Sequence, residues 1–360
     1  MLVTGHTGFK GAWLALWLQS LGARVTGFAL APETSPSLFE LLRLAVDDEI
    51  IGDLRDAALV AAALRRFDPQ IVIHMAAQAL VQPSYVNPVG TFATNVLGLA
   101  HLLEAARYLG SLQAVLVVTT DKVYENREDG RPFGEGDRLG GRDPYSSSKA
   151  CAELVASCFR DSFFDAEGAA AVATARAGNV VGGGDWSAFR LVPDVVRACE
   201  RSEPVILRQP HAVRPWQHVL EPLYGYLLYA QALVERGATV AGTLNFAPAP
   251  GSSRTVAEVV EALSAAFGGR PGWTPSSLQY PHEAKLLALS PAKAEAVLGW
   301  RPQLDFATTM AWTAEWFKGF WRGDDVRALV LAQIEAYAER LAEPPQVPAF
   351  AAPAGKVLSP

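Results

Sequence analysis

Cysteine is scarce in this chain, with Cys151, Cys158 and Cys199 alone among 360 residues. An odd count without metal-ligand spacing excludes a disulfide framework and a thiolate metal site, and predicts free thiols in a reducing compartment. Charge is sparse as well, at 19% of residues with a net of −6. Such a surface has no general attraction for nucleic acid or anionic lipid, so any phosphate contacts must be few and placed. Long apolar runs are missing: WLALWL falls far short of the ~20 residues that cross a bilayer. The opening MLVTGHTGFKG has no basic segment ahead of an apolar one. These absences predict a cytoplasmic protein, with neither a membrane nor nucleic acid among its partners. The first strand opens at Met1, so a few residues that would ordinarily precede it are expected to be missing.

What is present is apolar residues, half of the chain, enough for the core of one large domain or two intimately joined ones. Short β-rich runs alternate with helical patterns: LVT, a helix from Phe9, RVTGFAL, EIIGDL, a helix over Asp56 to Phe67, IVIHMAA, a long helix over Pro88 to Tyr108, AVLVVTT, a helix from Tyr145 and AAVATAR. Strands apolar on both faces, alternating with helices, predict an α/β protein with a Rossmann-type, doubly wound parallel sheet. From Asn179 the regularity breaks into loops, with Gly182, Gly183 and Gly184 in a run and Pro204, Pro210 and Pro215 beyond. Residues 1–178 are therefore expected to form the dinucleotide domain, with 215–246 returning to it. Residues 179–214 and 247–330 are expected to form a smaller substrate-binding lobe, with helices near Thr255 to Phe267, Pro291 to Leu298 and Phe306 to Phe320. The Pro- and Ala-rich residues 342–360 read as a disordered tail.

Gly5, Gly8 and Gly11 follow the first strand at the mouth of a helix, where a turn free of Cβ atoms lets backbone N–H groups meet a pyrophosphate. The end of the second strand, GFALAPETS, carries no acid for an adenosine ribose before Glu33, and no Arg or Lys for a 2′-phosphate; NAD is favoured over NADP. Asp53 after the third strand would either bond the adenine or cap the following helix. Tyr145 and Lys149 occur as YSSSK, at i and i+4 on one helical face. An ammonium near a phenol stabilises the phenolate, which makes tyrosine a usable base. Thr120, Asp121 and Lys122 end the buried run VLVVTT at the carboxyl edge of the sheet, where ligands bind in doubly wound folds.

The segments TGHTGFKG, HMAAQ, TTDKVYEN, LGGRDPYSSSKACAEL, RAGNVVGGGDW and RPWQHVLEPL resemble the CDP-glucose 4,6-dehydratases, a branch of the extended short-chain dehydrogenase/reductases, over residues 1 to 330. The resemblance implies a cytoplasmic homodimer that binds NAD and CDP-glucose and holds no metal. It implies NAD contacts from Gly5, Thr7, Gly8, Phe9, Lys10, Gly11, Asp53, Leu54, Ala76, Ala77, Gln78, Asn95, Tyr145 and Lys149. Tyr145 would take the proton of the sugar C4 hydroxyl, Thr120 would hold that oxygen, and Lys149 would hold the nicotinamide ribose. Asp121 would be the acid for the C6 hydroxyl. Lys122 replaces the glutamate base of related dTDP-glucose dehydratases. It would act as a neutral base at C5 or, while charged, stabilise the enolate. Asn179 and Arg214 would bind diphosphate, Arg214 alternatively making a salt bridge or packing on Trp216. Asp185, Trp186, Arg190 and Arg208 would shape the pocket, with Gln78, Ser84 and Tyr85 along the sugar. His74 and His218 read as structural.

Two other readings remain. A nucleotide-sugar 4-epimerase, or a 4,6-dehydratase for another nucleotide hexose, would share the scaffold, but an epimerase has no use for Asp121 and Lys122. A dinucleotide-sensing regulator would not need the Thr-Tyr-Lys set.

Overall fold

β1 (Leu2–Thr4), β2 (Thr26–Ala29), β3 (Asp48–Ile51), β4 (Ile71–His74), β5 (Ala114–Val118) and β6 (Ala171–Ala177) are joined by the strand Thr243–Phe246 in one sheet. The computed structural model describes residues 1–249, 251–269, 272–278, 281 and 284–342, so the tail beyond 342 lies outside the described residues. The order is β3-β2-β1-β4-β5-β6 and then Thr243–Phe246, with every neighbour parallel. Order reverses between β1 and β4, which opens a crevice at the carboxyl ends of the strands.

The central strands are buried along their whole length, as AVLVV and AVATARA require, so helices must cover both faces. Trp13, Leu16, Leu220, Leu223 and Phe317 pack on one face. Leu64, Leu99, Leu103, Ala152 and Ala156 pack on the other. No described helix is long and apolar enough to cross a membrane.

Two expectations need correction. The helix from Pro88 is not continuous: α-turns over Pro88–Phe92 and Gly98–Ala106 flank a π-turn at Ala93–Leu97. Asn95 lies in that π-turn, buried. Its Oδ1 accepts from Gln78 N at 2.8 Å, and its Nδ2 donates to Gln78 O at 3.0 Å and Ser148 Oγ at 2.8 Å. Residues 179–214, read as loops, contain the helix Leu191–Arg201, whose Val192, Val195 and Val196 are buried. Pro193 is tolerated because it stands in the first turn. The helices Leu220–Arg236 and Val326–Ala342 also went unpredicted.

The glycine run is a packing surface. Trp13 Nε1 donates to Gly183 O at 2.9 Å, and a Cβ on Gly183 would collide with the Trp316 ring.

Candidate functional site

β1 runs into a turn at Gly5, whose φ of +75° favours glycine. A Cβ on Gly11 would collide with Gly5 O, whereas one on Gly8 would meet only that oxygen, at 3.4 Å. The helix Phe9–Ser20 starts at Gly8 with no side-chain cap and no acid in its first turn. Its leading N–H groups and positive dipole end therefore suit an anion such as a pyrophosphate. Thr7 ties the turn to β2 by donating to Leu30 O at 2.8 Å, and Phe9 packs against the core. Lys10 points inward: its Nζ donates to Tyr226 OH at 3.2 Å and lies 5.2 Å from that ring's centre. Burial, with Arg190 and Lys149, lowers its pKa to about 7 against the pull of Asp121.

The neighbouring candidates divide. Ala76 lies against Gly5, 2.8 Å from a Cβ placed there, and Ala77 follows it, half-buried. Leu54 is buried. Gln78 is turned to its own neighbourhood, with Nε2 donating to Thr91 and Oε1 accepting from Leu80 N. Asp53 is held by Arg55, Oδ2 to Nη2 at 2.5 Å, and that pairing lowers its pKa. The cap of the next helix is Asp56, which accepts from Leu59 N at 3.0 Å, so the capping alternative for Asp53 does not hold.

At the end of β5, Thr120 caps a single 3-10 turn, Asp121–Val123. Its Oγ1 accepts from Lys122 N at 3.4 Å and donates to Asp121 Oδ1 at 3.0 Å. Asp121 is 1% exposed, with Oδ1 3.4 Å from Lys122 Nζ and Oδ2 lacking any partner. That Oδ2 would stand 3.4 Å from a Cβ on Gly178, so it faces the end of β6. There Asn179 has a second buried, unpartnered oxygen. Two such orphans at adjacent strand ends mark where a ligand's donors belong.

The helix Pro144–Phe163 brings Tyr145 and Lys149 to this point. Asp143 caps it at Ser146 N, 2.9 Å away, and Ser84 Oγ accepts from Tyr145 N at 3.1 Å. Ser84 therefore supports Tyr145 from behind, while Tyr85 is more exposed. Burial raises the Tyr145 pKa, opposed by Lys122 and by a hydrogen bond with Thr120. Lys149 Nζ donates to Val118 O at 2.8 Å. Its pKa is lowered to about 8 by burial, with Glu153 working the other way. The i, i+4 spacing suggested Lys149 as the ammonium that eases Tyr145 ionisation; among the charges acting on Tyr145, Lys122 lowers its pKa most.

In the lobe, Arg190 Nη1 binds buried Asp185 at 3.0 Å and is close enough to Tyr145 to lower its pKa. Trp186 does not face the site: it packs edge-on against Trp316, Phe317 and Phe320. Arg214 is buried with its guanidinium on Val213 O and Ala284 O, and Arg208 reaches Phe189 O at 3.2 Å. His74, bonded to Thr4 Oγ1 at 2.8 Å, and His218 both have pKa values pushed to about 3 by burial. Their neutral rings fit structural roles. Sequence reasoning passed over Tyr226, which meets Lys10, and Glu153, which faces Lys149; a fourth-residue continuation of the Tyr145–Lys149 face was the available signal for Glu153. Among the described residues no group of acids, histidines and cysteines could hold a metal.

The chain matches the GDP-mannose 4,6-dehydratase family over residues 2–313. It is 45% identical over 342 residues to the CDP-glucose 4,6-dehydratase of Salmonella typhimurium, covering 94% of this chain and 95% of that protein. It is 31% identical to the dTDP-glucose 4,6-dehydratase of Streptomyces antibioticus, with 88% and 92% covered. Among solved structures it resembles the UDP-glucose 4-epimerase of Thermus thermophilus in complex with NAD, at a TM-score of 0.76 and 28% identity, covering 88% of this chain and 98% of that one.

Proposed function

The chain belongs to the GDP-mannose 4,6-dehydratase family, and from that premise we propose that it converts CDP-glucose to CDP-4-dehydro-6-deoxyglucose. It is an NAD-dependent hydro-lyase of a nucleotide sugar. The observation that carries the reading is the pair of buried Asp121 and partly buried Lys122 beside Thr120 and Tyr145, since elimination of water needs an acid and a base that epimerisation does not.

The uncapped turn at Gly8 suits the dinucleotide. A bound NAD would supply the acceptor for the hydride of the sugar C4 and the donor that returns it to C6. Tyr145 takes the C4 hydroxyl proton while Thr120 hydrogen-bonds that oxygen; Lys122 and Thr120 offset the burial that would keep the phenol protonated. Once Tyr145 is protonated, Lys122 passes its own proton to Asp121, 3.4 Å away; the 4-keto group acidifies C5–H, and the now neutral Lys122 takes that proton. Asp121 protonates the departing C6 hydroxyl, which leaves as water. Lys122 returns its proton to C5 as C6 is reduced. Thr120, bonded to both Asp121 and Tyr145, passes the proton gained by Tyr145 to Asp121 and resets the site. Lys149 holds the nicotinamide ribose.

On the substrate side, Asn179 and Arg190 are the groups of residues 179–214 nearest this chemistry. Arg208, Arg214 and Trp186 shape the lobe through backbone and core contacts. In this reading 179–214 and 247–330 form the nucleotide-sugar lobe over a domain of 1–178 and 215–246; the strand Thr243–Phe246 in the main sheet supports that return. The free thiols of Cys151, Cys158 and Cys199 support a cytoplasmic setting. Val89, Leu97, Leu154 and Phe163 are exposed on the helices running from Pro88 and Pro144, and Pro88, Val89, Phe92, Ala93, Val96 and Leu97 line an apolar depression. This supports a homodimer through those helices; Val89→Asp with Leu97→Asp should give monomers by light scattering, and an unchanged mass would refute it.

Incubation with CDP-, dTDP-, UDP- and GDP-sugars and NAD tests the reaction. Loss of water from CDP-glucose alone is expected; an isobaric product would replace the reading with epimerisation, and dehydration of another nucleotide sugar would correct the substrate. In deuterated water, Lys122→Met should lose exchange at C5 while hydride transfer persists. Unchanged exchange would remove Lys122 as the base.

A further inference from the structure

Glu153 stands one helical turn beyond Lys149 and is 4% exposed, yet every face of its carboxylate is engaged. Oε1 accepts from Thr119 Oγ1 and from Arg176 Nε at 2.9 Å. Oε2 accepts from Thr174 Oγ1 at 2.7 Å and from Arg176 Nη2 at 3.0 Å. Arg176 in turn donates through Nη1 to Tyr124 OH at 2.7 Å, and Tyr124 donates to Asn245 Oδ1 at 2.8 Å. Thr119 immediately precedes Thr120, and Tyr124 follows Lys122 by two residues. The network therefore grips the Thr120–Lys122 turn at both ends and the Tyr145–Lys149 helix in between. A buried ion pair of this kind is often no more stabilising than well-packed apolar residues would be, so what the pair holds in place matters as much as its energy.

We propose that Glu153, with Arg176 and Tyr124, is a positioning residue for the dehydration: it locks the strand end carrying Thr120, Asp121 and Lys122 in register with the helix carrying Tyr145 and Lys149. None of the three touches a reacting atom; they act through the residues that do. The inference rests on the dehydratase reading above.

A second consequence follows for Lys149. The groups facing it are Glu153 from its own helix, Lys10 from the helix Phe9–Ser20, neutral His74 from β4, and the Val118 carbonyl of β5. Glu153 is the anion of that set and the one that opposes burial. Without its charge Lys149 loses its proton at lower pH, and the alkaline limb of kcat/KM moves in the acid direction.

The test compares kcat, KM and pH profiles for Thr119→Val, Tyr124→Phe, Glu153→Gln and Glu153→Asp. The first two leave the Glu153–Arg176 pair in place and loosen only the strand end; each should lower kcat by about tenfold to a hundredfold with KM nearly unchanged. Glu153→Gln should shift the alkaline limb acidward, and Glu153→Asp should restore its position. Wild-type kcat in both Thr119→Val and Tyr124→Phe would overturn the proposal, as would a kcat loss in Glu153→Gln with an unmoved limb. Should Glu153→Gln fail to fold, the first two variants decide alone. A wild type that leaves CDP-glucose intact would refute the dehydratase reading, whereas an active wild type with unaltered variants would refute only this inference.

Discussion

Glu221 gives a stability prediction whose size follows from its surroundings. It is 1% exposed and accepts from Gln303 N at 2.8 Å, Leu304 N at 2.5 Å and Tyr337 OH at 2.8 Å. Burial raises its pKa from 4.5 to about 7, although those donors pull the other way. The folded protein therefore keeps this proton longer than the unfolded chain. Stability contributed by the group is complete below 4.5 and is lost as pH rises through 7. Between about pH 5.5 and about pH 8 the loss comes to about 2 kcal/mol for a single site. Glu221→Gln retains an oxygen for the backbone donors and carries no titrating proton, so this loss should vanish. Urea unfolding of both proteins at the two pH values measures it, and all other ionisable groups cancel in the comparison. An identical pH dependence in wild type and variant would refute the reasoning.

The buried histidines have the opposite sign. Held neutral with pKa values near 3, His74 and His218 withdraw stability as pH falls below 6.5, by about 2 kcal/mol each at about pH 5. His218→Phe, which preserves a ring between Trp13 and Trp312, should lower the acid-unfolding midpoint followed by circular dichroism. Gly11→Ala puts a methyl into Gly5 O and should weaken NAD binding by at least about tenfold, one hydrogen-bonded contact's worth, in a calorimetric titration. Asn95→Leu strands the N–H and C=O of Gln78 and should cost about 1–3 kcal/mol in urea unfolding; no loss would undo the explanation of the π-turn.

Much of the sheet was legible because parallel strands buried on two faces leave apolar runs that need no partner to be read. The glycine turn and the Tyr145–Lys149 face were legible for a similar reason: each depends on spacing within one element. The rest depends on pairs far apart in the chain. Trp186 stands beside Asp185 in a motif that suggested the pocket, but the aromatic rings of the helix Phe306–Arg322 draw it into the core. Arg214 was read as a phosphate ligand or, alternatively, a salt-bridge or packing residue; its contact with the carbonyl of Ala284 spans 70 residues and leaves no local trace. Lys149 was read only through its spacing from Tyr145, and the Val118 carbonyl that anchors its ammonium comes from a strand 31 residues earlier. Asn95 bends its helix only because Gln78 and Ser148 are there to receive it. No local pattern carries such information.

The clasp of Gly183 between Trp13 and Trp316 has a consequence for synthesis. A ribosome delivers the first indole early and the second late, so Gly183 is held from one side only until the helix Phe306–Arg322 emerges. The clasp thus closes after the last strand of the sheet has been made, and the waiting nascent chain is a natural client for chaperones. Shortened chains that stop before Trp316 should accordingly aggregate rather than yield a smaller working enzyme.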